Sequence, residues 1–339
     1  MPTTHWGISP GWVTVGRVIS REPDVLVIGA GVSGLTTAIC LAEAGRAVTV
    51  AAADPPLRTT SAAAGAIWGP HLVGMDERVS RWGSLTMARL REMAADPATG
   101  VRLASGMTVA SALQADPFDW ISALDGPRPC DPAELLAGYA AGWRLAAPII
   151  SMPVYLGYLL ARLDRAGVRL REARFASLRE AAEQTDARVI VNCSGIGAHG
   201  LVPDHQVMPV RGQVVIVENP GISDFFIGVG REPADLTYYF PHGDVVVLGG
   251  TEEAGDWNRE PDPATAARIL NGCAAIEPRL RGATITAHRV GLRPVRPSVR
   301  LVAESLDGGR RLVHNYGHGG AGVTLSWGCA LDVAAAVLG

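Results

Sequence analysis

The sequence contains no lysine: all 30 basic residues among its 339 are arginine. Without an ε-amino group the chain cannot form a Schiff base, anchor pyridoxal phosphate in the usual way, or build a Walker-A phosphate loop. Coding bias accounts for the all-arginine usage, and the exclusion holds whatever its origin. Cysteine is scarce as well. The five, Cys40, Cys130, Cys193, Cys273 and Cys329, are far apart, odd in number and never in a CxxC pair. That argues against a zinc site and against a disulfide framework and fits a reducing compartment. Long apolar runs are missing too, because Arg or Asp interrupts each before the roughly 18–20 residues of a spanning helix. The N-terminus has no basic head followed by an apolar block, so neither a membrane nor a secretory signal is expected. A formal charge of -3 gives no basic footprint for nucleic acid.

What is present is ample apolar content, 48% of the residues, in a length that suggests about two domains. Residues 1–22 carry no periodicity and read as an N-terminal extension. Asp24 to Gly29 is a continuous β-type run of the kind buried on both faces of a parallel sheet. Val32 to Ala44 is helical in composition, Gly45 sits at a helix stop, and Ala47 to Ala51 returns as a second strand. This is a βαβ start with the right-handed crossover expected by default. From about 75 to 145 no sheet signature stands out. Further on the pattern predicts a helix over 153–165, a strand over 188–192, and strands over 213–218 and 244–248 with Tyr238 and Tyr239 just ahead of the second. A helix is expected over 262–275, then a strand over 311–315, a glycine-rich loop over 317–322 and a last helix to Leu338.

Gly29-Ala30-Gly31-Val32-Ser33-Gly34 is a GxGxxG between a buried strand and a helix. Its first glycine permits the tight turn, its second lets a pyrophosphate approach the backbone, and its third lets helix pack on strand. The helix N-terminus turns free N–H groups and a positive dipole on the phosphates. In that context the motif points to an adenine dinucleotide. An acid about 20 residues on would hold the ribose hydroxyls; Asp54 is the nearest, although it lies just past the second strand and is equally a solvated loop acid. Arg58-Thr59-Thr60-Ser61 and the small residues from Ala62 through Gly65, Ala66 and Ile67 to Trp68 would let a large planar ring lie against backbone. Near the C-terminus Gly319, Gly320 and Gly322, followed by Val323 and Thr324, allow close approach again at the start of a helix. A helix N-terminus suits the negative edge of a reduced flavin. A cofactor held from both ends of the chain points to FAD more than to NAD.

The segments VIGAGVSGLTTA, RTTS, AGAIWGP, TYYFP, VVLGGTEEAGDW, GLRPVRP and HNYGHGGAGVTLSWGCALD follow one another from Asp24 to the C-terminus. In this combination the chain resembles the D-amino-acid oxidase family, the last two segments being specific to that family and its D-aspartate oxidase sister. The resemblance implies an α/β fold with a Rossmann-like FAD-binding domain (23–72, 148–199 and 291–339) and an interleaved α+β substrate-binding domain (73–147 and 200–290). It implies oxidation of D-amino acids, neutral ones in particular, to 2-oxo acids and ammonia, with molecular oxygen reduced to hydrogen peroxide and hydride passing from substrate Cα to flavin N5.

Carried over residue by residue, Arg293 matches the arginine that grips the substrate carboxylate, and guanidinium meets carboxylate as a two-pronged, charge-assisted pair. Pro294 keeps the Arg293 backbone extended. Tyr238 matches a tyrosine that bonds the same carboxylate, with Tyr239 as the rival in register. Gly320 matches a glycine whose carbonyl receives the substrate amine, and Thr324 a residue bonding the flavin pyrimidine edge. Arg296 reads as structural. His318 is declined as a catalytic base, because hydride transfer from a neutral amine needs orientation and no protein acid or base. No metal is implied.

The chain departs from the family at two places. Ala234 stands where vertebrate members carry a second tyrosine on a loop over the site, and His71 stands where many relatives have an aromatic. The alternatives are D-aspartate oxidation, for which Arg231 or His71 would supply a second cation, and an NAD(P)-dependent dehydrogenase using the same fingerprint. Sister enzymes typically have Ser where this chain has Gly320, which favours neutral substrates. Ending in Val337-Leu338-Gly339 without a peroxisomal address, the chain is expected in the cytoplasm; a homodimer is left open.

Overall fold

The apolar run Val25–Ile28 forms a strand with all four residues buried, paired on both edges with parallel neighbours. It is the first of the strands of a computed structural model that describes residues 23–111, 119–124, 126–230 and 236–339. The expected extension 1–22, Arg231 and Ala234 lie outside the described residues. In chain order the strands are β1 (Val25–Ile28), β2 (Val48–Ala52), β3 (Val101–Ala110), β4 (Arg128–Pro129), β5 (Ala141–Ile150), β6 (Arg169–Glu172) and β7 (Val189–Asn192). They continue as β8 (Met208–Glu218), β9 (Phe225–Val229), β10 (Thr237–His242), β11 (Val245–Gly249), β12 (Glu253–Ala254), β13 (Ile285–Leu306) and β14 (Arg310–His318). The α-helices are α1 (Val32–Glu43), α2 (Thr60–Ala63), α3 (Glu77–Met93), α4 (Met152–Arg165), α5 (Leu178–Glu183), α6 (Ala198–Leu201), α7 (Pro263–Ile276) and α8 (Gly322–Leu338).

The strands follow one hydrogen-bonded path, β4-β5-β3-β9-β10-β11-β8-β13-β14-β7-β1-β2-β6, with β12 also on β8. From β14 to β6 every pairing is parallel, and α1, α4 and α8 cover that half with Leu35, Ile39, Leu156, Leu159 and Trp327 in one core. Trp327 donates its Nε1–H to the Tyr155 hydroxyl at 2.8 Å, so the indole is buried without an orphaned donor. From β9 to β13 the sheet is antiparallel, and α7 packs on it through Ile269 and Cys273.

β13 joins the two halves. Its first part pairs with β8 as far as Val295↔Met208, and its second pairs with β14 from Arg300↔Tyr316, the register shifting between. Pro294 lies just ahead of that shift and Pro297 within it, as expected of residues that cannot donate to a ladder. Asp204 fastens it, accepting from Arg296 at 3.1 Å and from the Tyr316 hydroxyl at 2.8 Å. Arg296 is thus structural, as expected.

Several expectations need correction. The stretch from 75 to 145 holds α3 and a ten-pair antiparallel ladder between β3 and β5. Its strands are rich in Ala, Gly and Ser, whose β preference is weak, so only the pairing reveals them. Tyr238 and Tyr239 lie ahead of β11 as expected, but inside a strand of their own, β10, that was not foreseen. The last strand takes Gly317 and His318 from the expected loop. Among the described residues no helix is long and apolar enough to cross a membrane.

Candidate active site

A cavity of about 1250 Å³ runs from the β1–α1 turn to the proline-flanked arginine on β13. At its first end Gly29 adopts φ 112°, and a Cβ there would lie 2.3 Å from the Cys193 carbonyl oxygen. A Cβ on Gly34 would lie 1.9 Å from the Gly29 oxygen, so this third glycine serves helix–strand packing and does not face the cavity. Gly29, Ala30, Gly31, Val32 and Ser33 do line it. The Ser61 hydroxyl accepts from Val32 N at 3.0 Å, while Gly31 gives α1 no side-chain cap of its own. Across the turn, Ser194 lines the cavity with a buried hydroxyl that has no partner. A buried polar atom of that kind is satisfied by a polar ligand.

Asp54 and Arg58 stand on the wall nearby. The half-exposed Asp54 carboxylate meets Arg259 at 3.4 Å and Arg174 at 4.0 Å. Thr59, Thr60, Ser61, Gly65, Ala66 and Ile67 continue the lining. Ile67 bridges Ile149 of β5, the Ala66 carbonyl accepts from Ile150 N at 2.8 Å, and Thr60 donates to the Leu292 carbonyl at 3.1 Å. These bonds pin a backbone wall of small residues between β5 and β13. Opposite lie Gly319, Gly320, Gly322 and Val323, with no side-chain cap at the start of α8. Thr324 does not reach the cavity. Its hydroxyl donates to the Gly69 carbonyl at 2.8 Å and sits 3.2 Å from Gly69 N, so its side chain holds the loop instead.

At the far end Arg293 donates from Nη1 to the Thr251 carbonyl at 2.9 Å. Its guanidinium lies over Gly212, where a Cβ would come within 2.5 Å of Nη2. Burial pushes the pKa of the Tyr238 hydroxyl up against the pull of the nearby Arg293 charge, so it is a neutral phenol. The Tyr238 ring stacks on Phe240 at 4.8 Å. Tyr239 points to the other face, onto Phe226 at 5.6 Å, and does not line the cavity; strand alternation separates the two rivals. His318 also lines the cavity, bonded to Asn315 Oδ1 at 3.0 Å, and burial pushes its pKa down to about 4. A neutral imidazole that protonates so reluctantly is a poor general base at neutral pH.

Two polar residues come together here that sequence reasoning did not connect. His71 Nε2 lies 3.1 Å from Glu252 Oε1, and both line the cavity. Trp120, Ile227, Val229, Leu236 and Phe240 supply an apolar wall that was also missed. Glu252 stands in the segment VVLGGTEEAGDW already noted, but only the pairing of β11 and β8 brings it beside Arg293.

One cavity thus has a glycine-lined strand–helix turn at one end and an arginine and a tyrosine at the other. Residues 24–336 match the family model described as FAD dependent oxidoreductase (DAO). The chain is 50% identical over 321 residues to a D-amino-acid oxidase of Rubrobacter xylanophilus, covering 94% of this chain and 96% of that one. It is 45% identical over 317 residues to a D-amino-acid oxidase of Streptomyces coelicolor, covering 93% and 96%. Glycine oxidase from Geobacillus kaustophilus shares the fold at TM-score 0.77 and 19% identity, over 92% of this chain and 93% of that one. The chain belongs to the FAD dependent oxidoreductase family, which removes the NAD(P)-dependent alternative.

Proposed function

We propose that this protein oxidises D-amino acids to 2-oxo acids and ammonia, using FAD and releasing hydrogen peroxide. The observation that carries the reading is the Arg293–Tyr238 pair, which opens to the same cavity as the GxGxxG turn. The residues present fit FAD: the cavity is large enough, its glycines leave backbone exposed, and the buried Ser194 hydroxyl awaits a partner. Gly29 to Ser33 and the α1 N-terminus would hold the phosphates, Asp54 the ribose, and Gly65 to Ile67 with Gly319 to Val323 the ring system. The first, third and last chain segments, 23–72, 148–199 and 291–339, would carry this half, and 73–147 with 200–290 the substrate half. When bound, FAD supplies a two-electron acceptor that oxygen regenerates.

The chain's own residues supply position. Arg293 offers a planar fork to the substrate carboxylate, each charge-assisted bond contributing roughly 1.5–3 kcal/mol net. Tyr238, held neutral, donates to the same carboxylate. Gly320 offers its carbonyl to the amine, and having no side chain it leaves the approach clear. Three anchors fix two substituents of Cα, the carboxylate and the amine, and with the side chain turned to the apolar wall only one enantiomer directs its Cα–H along a given path. With His318 neutral, proton loss from the substrate ammonium falls to solvent and substrate. The scattered free cysteines support residence in a reducing compartment, the cytoplasm.

The test is the visible spectrum of the purified holoprotein under anaerobic conditions. Bleaching of the flavin band by D-alanine and not by L-alanine, with ammonia and peroxide released once air is admitted, supports the reading. Equal bleaching by both enantiomers, or by neither across a panel of D-amino acids, overturns it.

A further inference from the structure

Glu252 follows Gly250 and Thr251 at the end of β11, and its carboxylate faces the cavity beside Arg293. Its neighbour Thr251 accepts from Arg293 at 2.9 Å, which ties the backbone of this segment to the arginine. His71 is fixed in turn, its carbonyl accepting from Gly320 N at 2.9 Å while Nε2 reaches Glu252 Oε1 at 3.1 Å. The Glu252 side chain is only 13% exposed. Burial opposes its ionisation, but the hydrogen bond from His71 and the charges of His71 and Arg293 hold it below the usual carboxylate range. Among the described residues, the remaining wall at this end, from Trp120, Ile227, Val229, Leu236 and Phe240, is uncharged.

We infer that Glu252, positioned by His71, sets the substrate class by excluding D-amino acids that carry a second carboxylate and admitting those with uncharged side chains. The inference rests on the proposed function, in that the first carboxylate of the substrate sits on Arg293. Arg293 brings one positive charge and Glu252 one negative, so the pair is neutral, a zwitterion with an uncharged side chain leaves it neutral, and a second carboxylate adds an uncompensated negative charge. His71, which as a cation could have received a second one, already gives its Nε2–H to the protein's own acid. Two carboxylates a few ångströms apart in a half-buried site repel by well over a factor of about ten in binding.

The experiment compares D-asparagine with D-aspartate, equal in shape and different in charge, on the holoenzyme. The wild type is expected to favour D-asparagine strongly in kcat/KM. Glu252→Gln should narrow that preference at least tenfold, while Glu252→Asp, which keeps the charge, should retain it. His71→Leu should narrow it and His71→Gln, which keeps a donor, should restore it. A parallel arm measures dissociation constants of succinate and its monoamide, succinamate, from the change in flavin absorbance. Glu252→Gln should close that gap by the same factor. An unchanged ratio in both arms overturns the role of Glu252. A wild type inert toward every D-amino acid overturns the proposed function instead, and the binding arm still decides whether Glu252 repels a second carboxylate.

Discussion

Gly212 on β8 lies directly beneath the guanidinium of Arg293 on β13: a Cβ at 212 would sit 2.5 Å from Nη2. The two strands are paired, Gly212 opposite Gly291 and Arg293 opposite Val210, so the missing side chain opens the shelf on which the cation rests.

Gly212→Ala should therefore displace Arg293 without unfolding the sheet, because the atoms that must yield belong to the end of a flexible side chain. KM for a D-amino acid should rise about tenfold or more, the equivalent of roughly 1.4 kcal/mol, with flavin retained and Tm lowered by only a few degrees. Steady-state kinetics and a thermal melt check both halves. An unchanged KM would show that the arginine is not shelved there in the working enzyme.

Ser194 gives a test on the cofactor side. Its buried hydroxyl has no protein partner, so Ser194→Ala should leave the apoprotein as stable or slightly more so. If the hydroxyl serves bound FAD, the dissociation constant should rise about three- to tenfold, matching one hydrogen bond of about 1 kcal/mol. Titration of apoprotein with FAD, followed by fluorescence, measures this directly. Equal affinity in the two proteins would assign the hydroxyl no part in binding.

The pattern of success in reading the chain follows the range of the interactions. The β1–α1–β2 unit was legible because its signals, an apolar run, a GxGxxG and Gly45 with φ 83° at the helix end, are local. The β3–β5 ladder was not, since Val101–Ala110 and Ala141–Ile150 become strands by pairing with each other across a long separation. β13 was hidden by its own arginines and prolines, which a strand tolerates there because the ladder changes partner between Val295 and Arg300. In the site, Arg293, Tyr238 and Gly320 were found through motif resemblance and line one cavity, whereas Thr324 turns its hydroxyl to Gly69. The His71–Glu252 contact was out of reach, because nothing in either local sequence names the other.

Stability should depend on pH through three buried histidines. Burial pushes His242, His314 and His318 each down to about 4, against an ordinary value near 6.5 in the unfolded chain. The folded state then binds fewer protons than the unfolded state over that interval. Unfolding takes protons up, so stability falls as pH drops from about 6.5 toward 4. Urea midpoints of the holoprotein at pH 7.5, 6.5 and 5.5 should decline steadily below 6.5. A flat profile would mean that these imidazoles are free to protonate in the native state.

The most direct test of the whole account is Arg293→Ala assayed with D-alanine, with the flavin spectrum recorded on the same sample. Normal flavin content and a fall in kcat/KM of at least about thirtyfold are expected, since removing one partner of a buried charge-assisted pair costs about 2–5 kcal/mol. Flavin-loaded Arg293→Ala protein with wild-type efficiency would contradict it.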